Sequence, residues 1–182
     1  MSSAILTASG KWFDVLHPDP ALISLADIAS ALSKLCRFGG HCREFYSVAE
    51  HSILVSRLVC QRNGGNAQAG IWGLLHDASE AYVVDIPRPV KRQLQEYIAI
   101  EDAIQHAVAT RFNLPWPMPL EIHSADHDIL AMELRAYMPP QPEQMLPSLS
   151  DDPLIGGLPE KLFSPKSAEQ AFLDEVVKFG LQ

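Results

Sequence analysis

Cysteine, positive charge and long apolar runs are all scarce in this sequence, and each shortage excludes a class of protein. The three cysteines, Cys36, Cys42 and Cys60, are odd in number and show no CxxC spacing. Neither a disulfide framework nor a zinc knuckle is indicated, so reduced thiols in a cytoplasmic protein are expected. Lysine and arginine number 14 against 22 aspartates and glutamates, giving a formal charge of −8 and a pI near 5.3. That balance argues against nucleic acid or an anionic membrane as the main partner. A small phosphorylated ligand stays open, because a local cation can overrule the global field. No apolar stretch reaches the roughly 18 to 20 residues needed to span a bilayer. Residues 1–10 lack the basic start and long apolar run of a signal peptide. There is no internal repeat and no sign of a second domain.

What is present is a chain of 182 residues, 47% of them apolar, enough for one domain over residues 1–182 with a sizeable core. Every strong periodic signal is helical. The expected fold is all-α, a bundle of at least six helices, with only a weak strand-pair signal around Lys11-Trp12-Phe13. A first helix starts at Ser24, with Asp27 at the capping-box position, and Gly39-Gly40 follows its end. Ser47-Val48-Ala49-Glu50 is a second capping box, opening a helix that runs to about Arg62. Asn66 caps a third helix, expected to carry His76, Asp77 and Glu80, with Pro87 and Pro89 closing it and Asp85 at its edge. A long helix is expected from about Pro89 to Phe112, another from about Leu120 to Tyr137, and a last one over 167–179. Between them, residues 139–165 hold seven of the 14 prolines and read as a loop, draped over the domain or used at a subunit contact.

The stretch Gly73-Leu74-Leu75-His76-Asp77-Ala78-Ser79-Glu80 concentrates the chemistry. Glu80 lies three residues beyond Asp77 and four beyond His76, so on a helix all three share one side. Folding does not require an imidazole and two carboxylates against apolar neighbours; their desolvation calls for compensation, and a divalent cation supplies it. Imidazole with carboxylate suits zinc, manganese, iron, cobalt or nickel, whereas an all-oxygen cage suits magnesium or calcium. Two ligands hold a metal poorly. By position the best further donors are His51, near the start of a capped helix, and Asp126, an acid flanked by apolar residues. Taken singly, each has an ordinary alternative: a satisfied core histidine, a solvated acid, or for Glu80 a partner for Arg88. Spacing alone leaves the two readings level.

Ser47-Val48-Ala49-Glu50-His51-Ser52, His76-Asp77-Ala78-Ser79-Glu80, Val84-Asp85-Ile86-Pro87 and Ala125-Asp126 together resemble the HD-domain metal-dependent phosphohydrolases. Within them the likeness is to the bacterial 5'-deoxynucleotidases and their prophage and phage relatives, including phage dATP triphosphohydrolases. It covers roughly residues 24–135. The resemblance implies one divalent metal ion (Co, Mn, Zn, Mg, Ni or Fe) held by His51, His76, Asp77 and Asp126. It implies that Glu80 positions or deprotonates the attacking water, and that Asp85 lies close to the substrate. Arg37 matches an arginine that grips the phosphate. Phe38 stands where the deoxynucleotidases carry tryptophan, and Arg37-Phe38-Gly39-Gly40-His41 is more similar to the prophage branch, with His41 a further phosphate contact. A nucleotide substrate and a homo-oligomer, dimer or larger, are implied as well. The expected activity is 5'-deoxynucleotidase action on dNMPs. The alternatives are a dNTP triphosphohydrolase releasing triphosphate and a nucleotide-sensing module without turnover.

Overall fold

The structure is a computed structural model that describes residues 3–181. Two short strands, β1 (Ala4–Leu6) and β2 (Trp12–Asp14), form an antiparallel pair in which Ile5 faces Phe13. Everything after them is helical or loop. The helices are α1 (Leu25–Leu32), α2 (Val48–Arg62), α3 (Ala67–Leu75), α4 (Glu80–Val83), α5 (Arg88–Lys91), α6 (Gln95–Arg111), α7 (Leu120–Ala136) and α8 (Pro165–Lys178). The all-α expectation holds. No helix among the described residues is long and apolar enough to cross a membrane.

Helix α2 runs through the middle, in contact with α1, α3, α7 and α8. Its start is fixed as the sequence predicts: the Ser47 hydroxyl accepts from Glu50 N–H while Ser47 N–H donates to the Glu50 carboxylate. Small residues set how closely α3 approaches. A Cβ on Gly73 would come within 2.7 Å of Ser56 Cα, so only glycine lets the two backbones meet there. Ser56 Oγ donates to Gly70 O at 2.7 Å across the same seam. One hydrophobic core joins the whole, from Phe13 and Ile28 through Val55, Trp72 and Leu75 to Ile104, Ile122 and Phe172.

Three local expectations are corrected. Ser24 does begin α1, but no side-chain cap bond forms there. Asp27 instead accepts from Ser9 N–H and Ser9 Oγ, tying the N-terminal hairpin to the bundle. The helix expected from Pro89 to Phe112 is two, α5 and α6, separated at residues 92–94, where Leu94 leaves helical geometry at φ −110°, ψ 75°. The third correction bears on the site. The helix expected to carry His76, Asp77 and Glu80 stops at Leu75, and α4 begins at Glu80. Gln105 of α6 causes the break. Its Nε2 donates to Leu75 O at 2.7 Å, and its Oε1 accepts from Ser79 N–H at 3.0 Å. Those two backbone groups would bond to each other in an uninterrupted helix, so an inserted amide has replaced one rung of the ladder. The chain between them tightens into three-residue turns, with Ala78 N–H donating to Leu75 O and Glu80 N–H to Asp77 O.

Candidate metal centre

Four side chains from three parts of the chain converge. His51 sits in the first turn of α2, His76 and Asp77 lie in the turn after α3, and Asp126 projects from α7. His51 Nε2 is 3.2 Å from His76 Nε2 and 3.2 Å from Asp126 Oδ1. Asp77 Oδ2 is 3.2 Å from His76 Nε2 and 3.7 Å from His51 Nε2. His76 Nε2 and Asp126 Oδ1 are 4.0 Å apart. The other ring nitrogens are spoken for. His51 Nδ1 lies 2.7 Å from Glu133 Oε1 and His76 Nδ1 2.8 Å from Gly73 O. Each Nδ1 therefore carries the proton, and both Nε2 lone pairs point inward.

These are the features of a cation site. Two nitrogens and two carboxylate oxygens, all acceptors, face one another with no donor side chain between them. Ligand atoms about 2.1 Å from a first-row dication sit about 3 to 4 Å from one another, the range seen here. The donor set suits Mn, Fe, Co, Ni or Zn. His51, His76 and Asp77 lie close enough together to hold one metal ion, and Asp126 approaches the two histidines of that group without closing on Asp77.

The electrostatics match. Burial disfavours a charged His51 ring, and Arg37 does too, yet Glu133 and Asp126 outweigh them and lift its pKa to about 9. The same carboxylates favour positive charge beside His51 Nε2, which a bound cation supplies in place of a second proton. Burial would push the Asp126 carboxyl up, but His51 and His76 hold it at about 2. Asp77 is likewise held well below the carboxylate range, by His76, His51 and Arg37 against its burial.

Glu133 was not singled out from the sequence, and it organises the site. It is fully buried on α7. It binds His51 Nδ1 at 2.7 Å, accepts from the Tyr46 hydroxyl at 2.7 Å, and accepts from Arg37 Nη2 at 2.8 Å. Burial would raise its pKa, but Arg37 and His51 hold it at about 2. One signal was available: Glu133 is seven residues beyond Asp126, two turns along the same helix face.

The remaining predicted site residues border one cleft of about 780 Å³, lined by Arg37, Phe38, His41, Asp77, Glu80 and Asp85 among others. Arg37 is buried, with its Nη1 3.9 Å from Asp77 Oδ2, and its Nε has no partner. Glu80 is also buried, with one carboxylate oxygen unpartnered. Its burial, and then Asp77 and Asp85, push its pKa well up from the usual carboxylate range. Glu80 does not pair with Arg88, which lies 3.7 Å from Asp126 Oδ2. Asp85 follows Val84, a β-branched residue held at φ 64°, ψ 162°. Burial raises the Asp85 pKa. His41 stands at the rim. A smaller cleft of about 370 Å³ opens on the other side of Asp77 and Asp126, walled by Glu101, Gln105, Trp116 and His123. His106 stacks on Trp116 with ring centroids 5.1 Å apart.

No family model matches the chain. Over 135 residues it is 42% identical to the uncharacterized protein YfdR of Escherichia coli K12, an alignment covering 73% of this chain and 71% of YfdR. Over 121 residues it is 38% identical to the uncharacterized protein RCAP_rcc00048 of Rhodobacter capsulatus, covering 64% of this chain and 62% of that one. With that identity sustained over most of both sequences, the chain belongs to the same family as YfdR.

Proposed function

We propose that this protein is a divalent-metal-dependent phosphohydrolase of the HD type, acting on nucleotides, most simply as a 5'-deoxynucleotidase on dNMPs. The observation that carries the reading is the meeting of His51, His76 and Asp77 at 3.2 to 3.7 Å, with Asp126 3.2 and 4.0 Å from the two histidines. A cation bound there supplies Lewis acidity and lowers the pKa of water from about 15.7 towards 7. The chain's own residues do the rest. Arg37 offers a buried, unpartnered Nε to a phosphoryl oxygen while Glu133 fixes the far side of the guanidinium. Glu80 orients the attacking water and takes its proton. Asp85 and Phe38 border the same cleft, where they meet the sugar. Leu130, Leu134 and Met138 give that cleft the apolar wall a base needs.

A second reading, a dNTP triphosphohydrolase, is favoured by Arg88 and Lys91, which line both clefts and add cations to the one that Arg37 also lines. The test is to strip the protein of metal, restore manganese, cobalt or magnesium, and offer dNMPs and dNTPs. Phosphate released from dNMP supports the first reading and triphosphate released from dNTP the second. No product with any metal overturns both. Glu80→Gln should retain metal and lose about 10²- to 10⁴-fold in turnover.

A further inference from the structure

Cys36 and Cys42 bracket Arg37, Phe38 and His41, and their Sγ atoms lie 3.5 Å apart. The contact is built by the fold. Phe38, Gly39 and Gly40 all have positive φ, at 57°, 59° and 80°, and they turn the chain back on itself. Both ends are pinned: Arg37 N–H donates to Tyr46 O, Cys36 bridges to Ser47, and Arg43 N–H donates to Tyr137 O. Both thiols are partly exposed, within reach of a small oxidant. A disulfide is about 2.05 Å long, so closure asks the two sulfurs to approach by only about 1.5 Å.

We propose that Cys36 and Cys42 form a reversible disulfide that closes the Arg37 loop and weakens its grip on phosphate. The oxidant class is a low-molecular-weight disulfide such as glutathione disulfide. The Cys36 thiolate attacks one of its sulfurs, releases one glutathione thiolate and becomes a mixed disulfide. Cys42 then loses its proton, attacks Cys36 Sγ and expels the second glutathione. Two protein thiols give up two protons and two electrons, and one glutathione disulfide becomes two glutathiones. Burial, and then the neighbouring Cys36, push the Cys42 thiol up, which suits it to the second step rather than the first. In the reduced loop Cys42 Sγ donates to Arg37 O at 3.7 Å, a bond the disulfide cannot make. Closing the disulfide removes that support from the Arg37 carbonyl, and a binding group held less firmly than about 0.5 Å loses affinity. The metal ligands lie on other elements and stay in place.

The coupling to phosphate rests on the phosphohydrolase reading; the disulfide does not. The full-length protein is incubated with glutathione disulfide and mapped with trypsin without reduction. The expected result is a Cys36–Cys42 link that holds together the two peptides created by cleavage after Arg37, reversed by dithiothreitol. Cys42→Ser should stop at a glutathione adduct on Cys36. A protein left with free thiols, or with glutathione on both residues, overturns the disulfide and leaves the phosphohydrolase reading untouched. Inorganic phosphate is then titrated into the manganese-loaded protein in both redox forms. Oxidation should weaken phosphate binding about tenfold, the loss of roughly one contact to a charged group, with manganese affinity unchanged. Cys36→Ser/Cys42→Ser should be insensitive to the oxidant. Equal phosphate affinity in the two forms overturns the coupling. Phosphate bound by neither form overturns both the coupling and the role given to Arg37.

Discussion

Helix α7 carries two acidic clusters, on faces about 200° apart, and the protein finishes them differently. On one face, Asp128 accepts from Arg62 Nη2 at 2.6 Å and from Ser150 N–H at 3.2 Å. Asp152 joins it, accepting from Arg62 Nε at 2.6 Å and from Leu154 N–H at 2.8 Å. Every carboxylate oxygen there has a donor. On the other face, Asp126 Oδ1, Asp77 Oδ2 and the two Nε2 atoms of His51 and His76 crowd together as acceptors. A ring in which every acceptor has a donor ties down a loop and leaves no lone pair for a cation, and its one unpartnered polar atom, Arg62 Nη1, is itself a donor. A surplus of acceptors asks for a cation. Burial alone does not separate the two, because both clusters are largely removed from water.

The comparison breaks most decisively at Asp77 and Asp128. Asp77→Ala should abolish manganese binding in calorimetry and leave no measurable turnover. Asp128→Ala should keep both, while losing about 1 to 3 kcal/mol of stability from the donors left unpaired. For a chain of this size each kcal/mol lowers the melting temperature by about 2 to 4 °C. Loss of metal in Asp128→Ala, or its retention in Asp77→Ala, would mean the clusters have been assigned the wrong way round.

Glu133 sharpens the comparison because it belongs to the open cluster and is itself fully satisfied. Its charge fixes the His51 tautomer and holds Arg37, so one carboxylate aligns the two residues to which we assign metal and phosphate binding. Glu133→Gln should weaken metal binding by about 10- to 100-fold. Tyr46→Phe removes one donor without touching the charge and should change metal affinity far less. Equal losses in the two variants would show that packing, not charge, orients His51.

Much of this was legible in the sequence, for reasons that also explain what was not. The Ser47/Glu50 box and the Asn66 cap are contained within a few residues, so α2 and α3 begin where expected. His76 and Asp77 stood out because polar residues following an apolar run need a reason to be there, while His51 and Asp126 were offered by position and joined to them by the family resemblance. The break between His76 and Glu80 was invisible, because its cause, Gln105, lies 30 residues beyond Leu75 and acts through a side-chain amide. Glu133 was missed for the same kind of reason. Its partners Arg37, Tyr46 and His51 are 82 to 96 residues away, and an acid on a helix reads as a solvated face until those partners are in view.

The smallest expected effect concerns where the backbone carries strain. Asn113, just past α6, has φ 52°, a conformation asparagine tolerates at a helix end, and Leu114 N–H donates back to Ala109 O there. Val84 is at φ 64°, ψ 162°, a region glycine occupies and a β-branched residue resists, at a strain of order 1 to 3 kcal/mol. The residue is 52% exposed, so packing does not explain why it is held there. The next residue in the chain is Asp85, at the wall of the larger cleft. Val84→Gly should remove the strain and, after about 0.5 to 1 kcal/mol of added unfolded-state entropy, leave the protein equally stable or up to about 2.5 kcal/mol more so. Turnover should fall a few-fold, as the freed backbone no longer holds Asp85 in one direction. Asn113→Gly, at a position already relaxed, should shift stability by only a few tenths of a kcal/mol and leave turnover alone. If Val84→Gly instead lowers stability with turnover intact, the Val84 backbone serves the fold and the strain has no part in aiming Asp85.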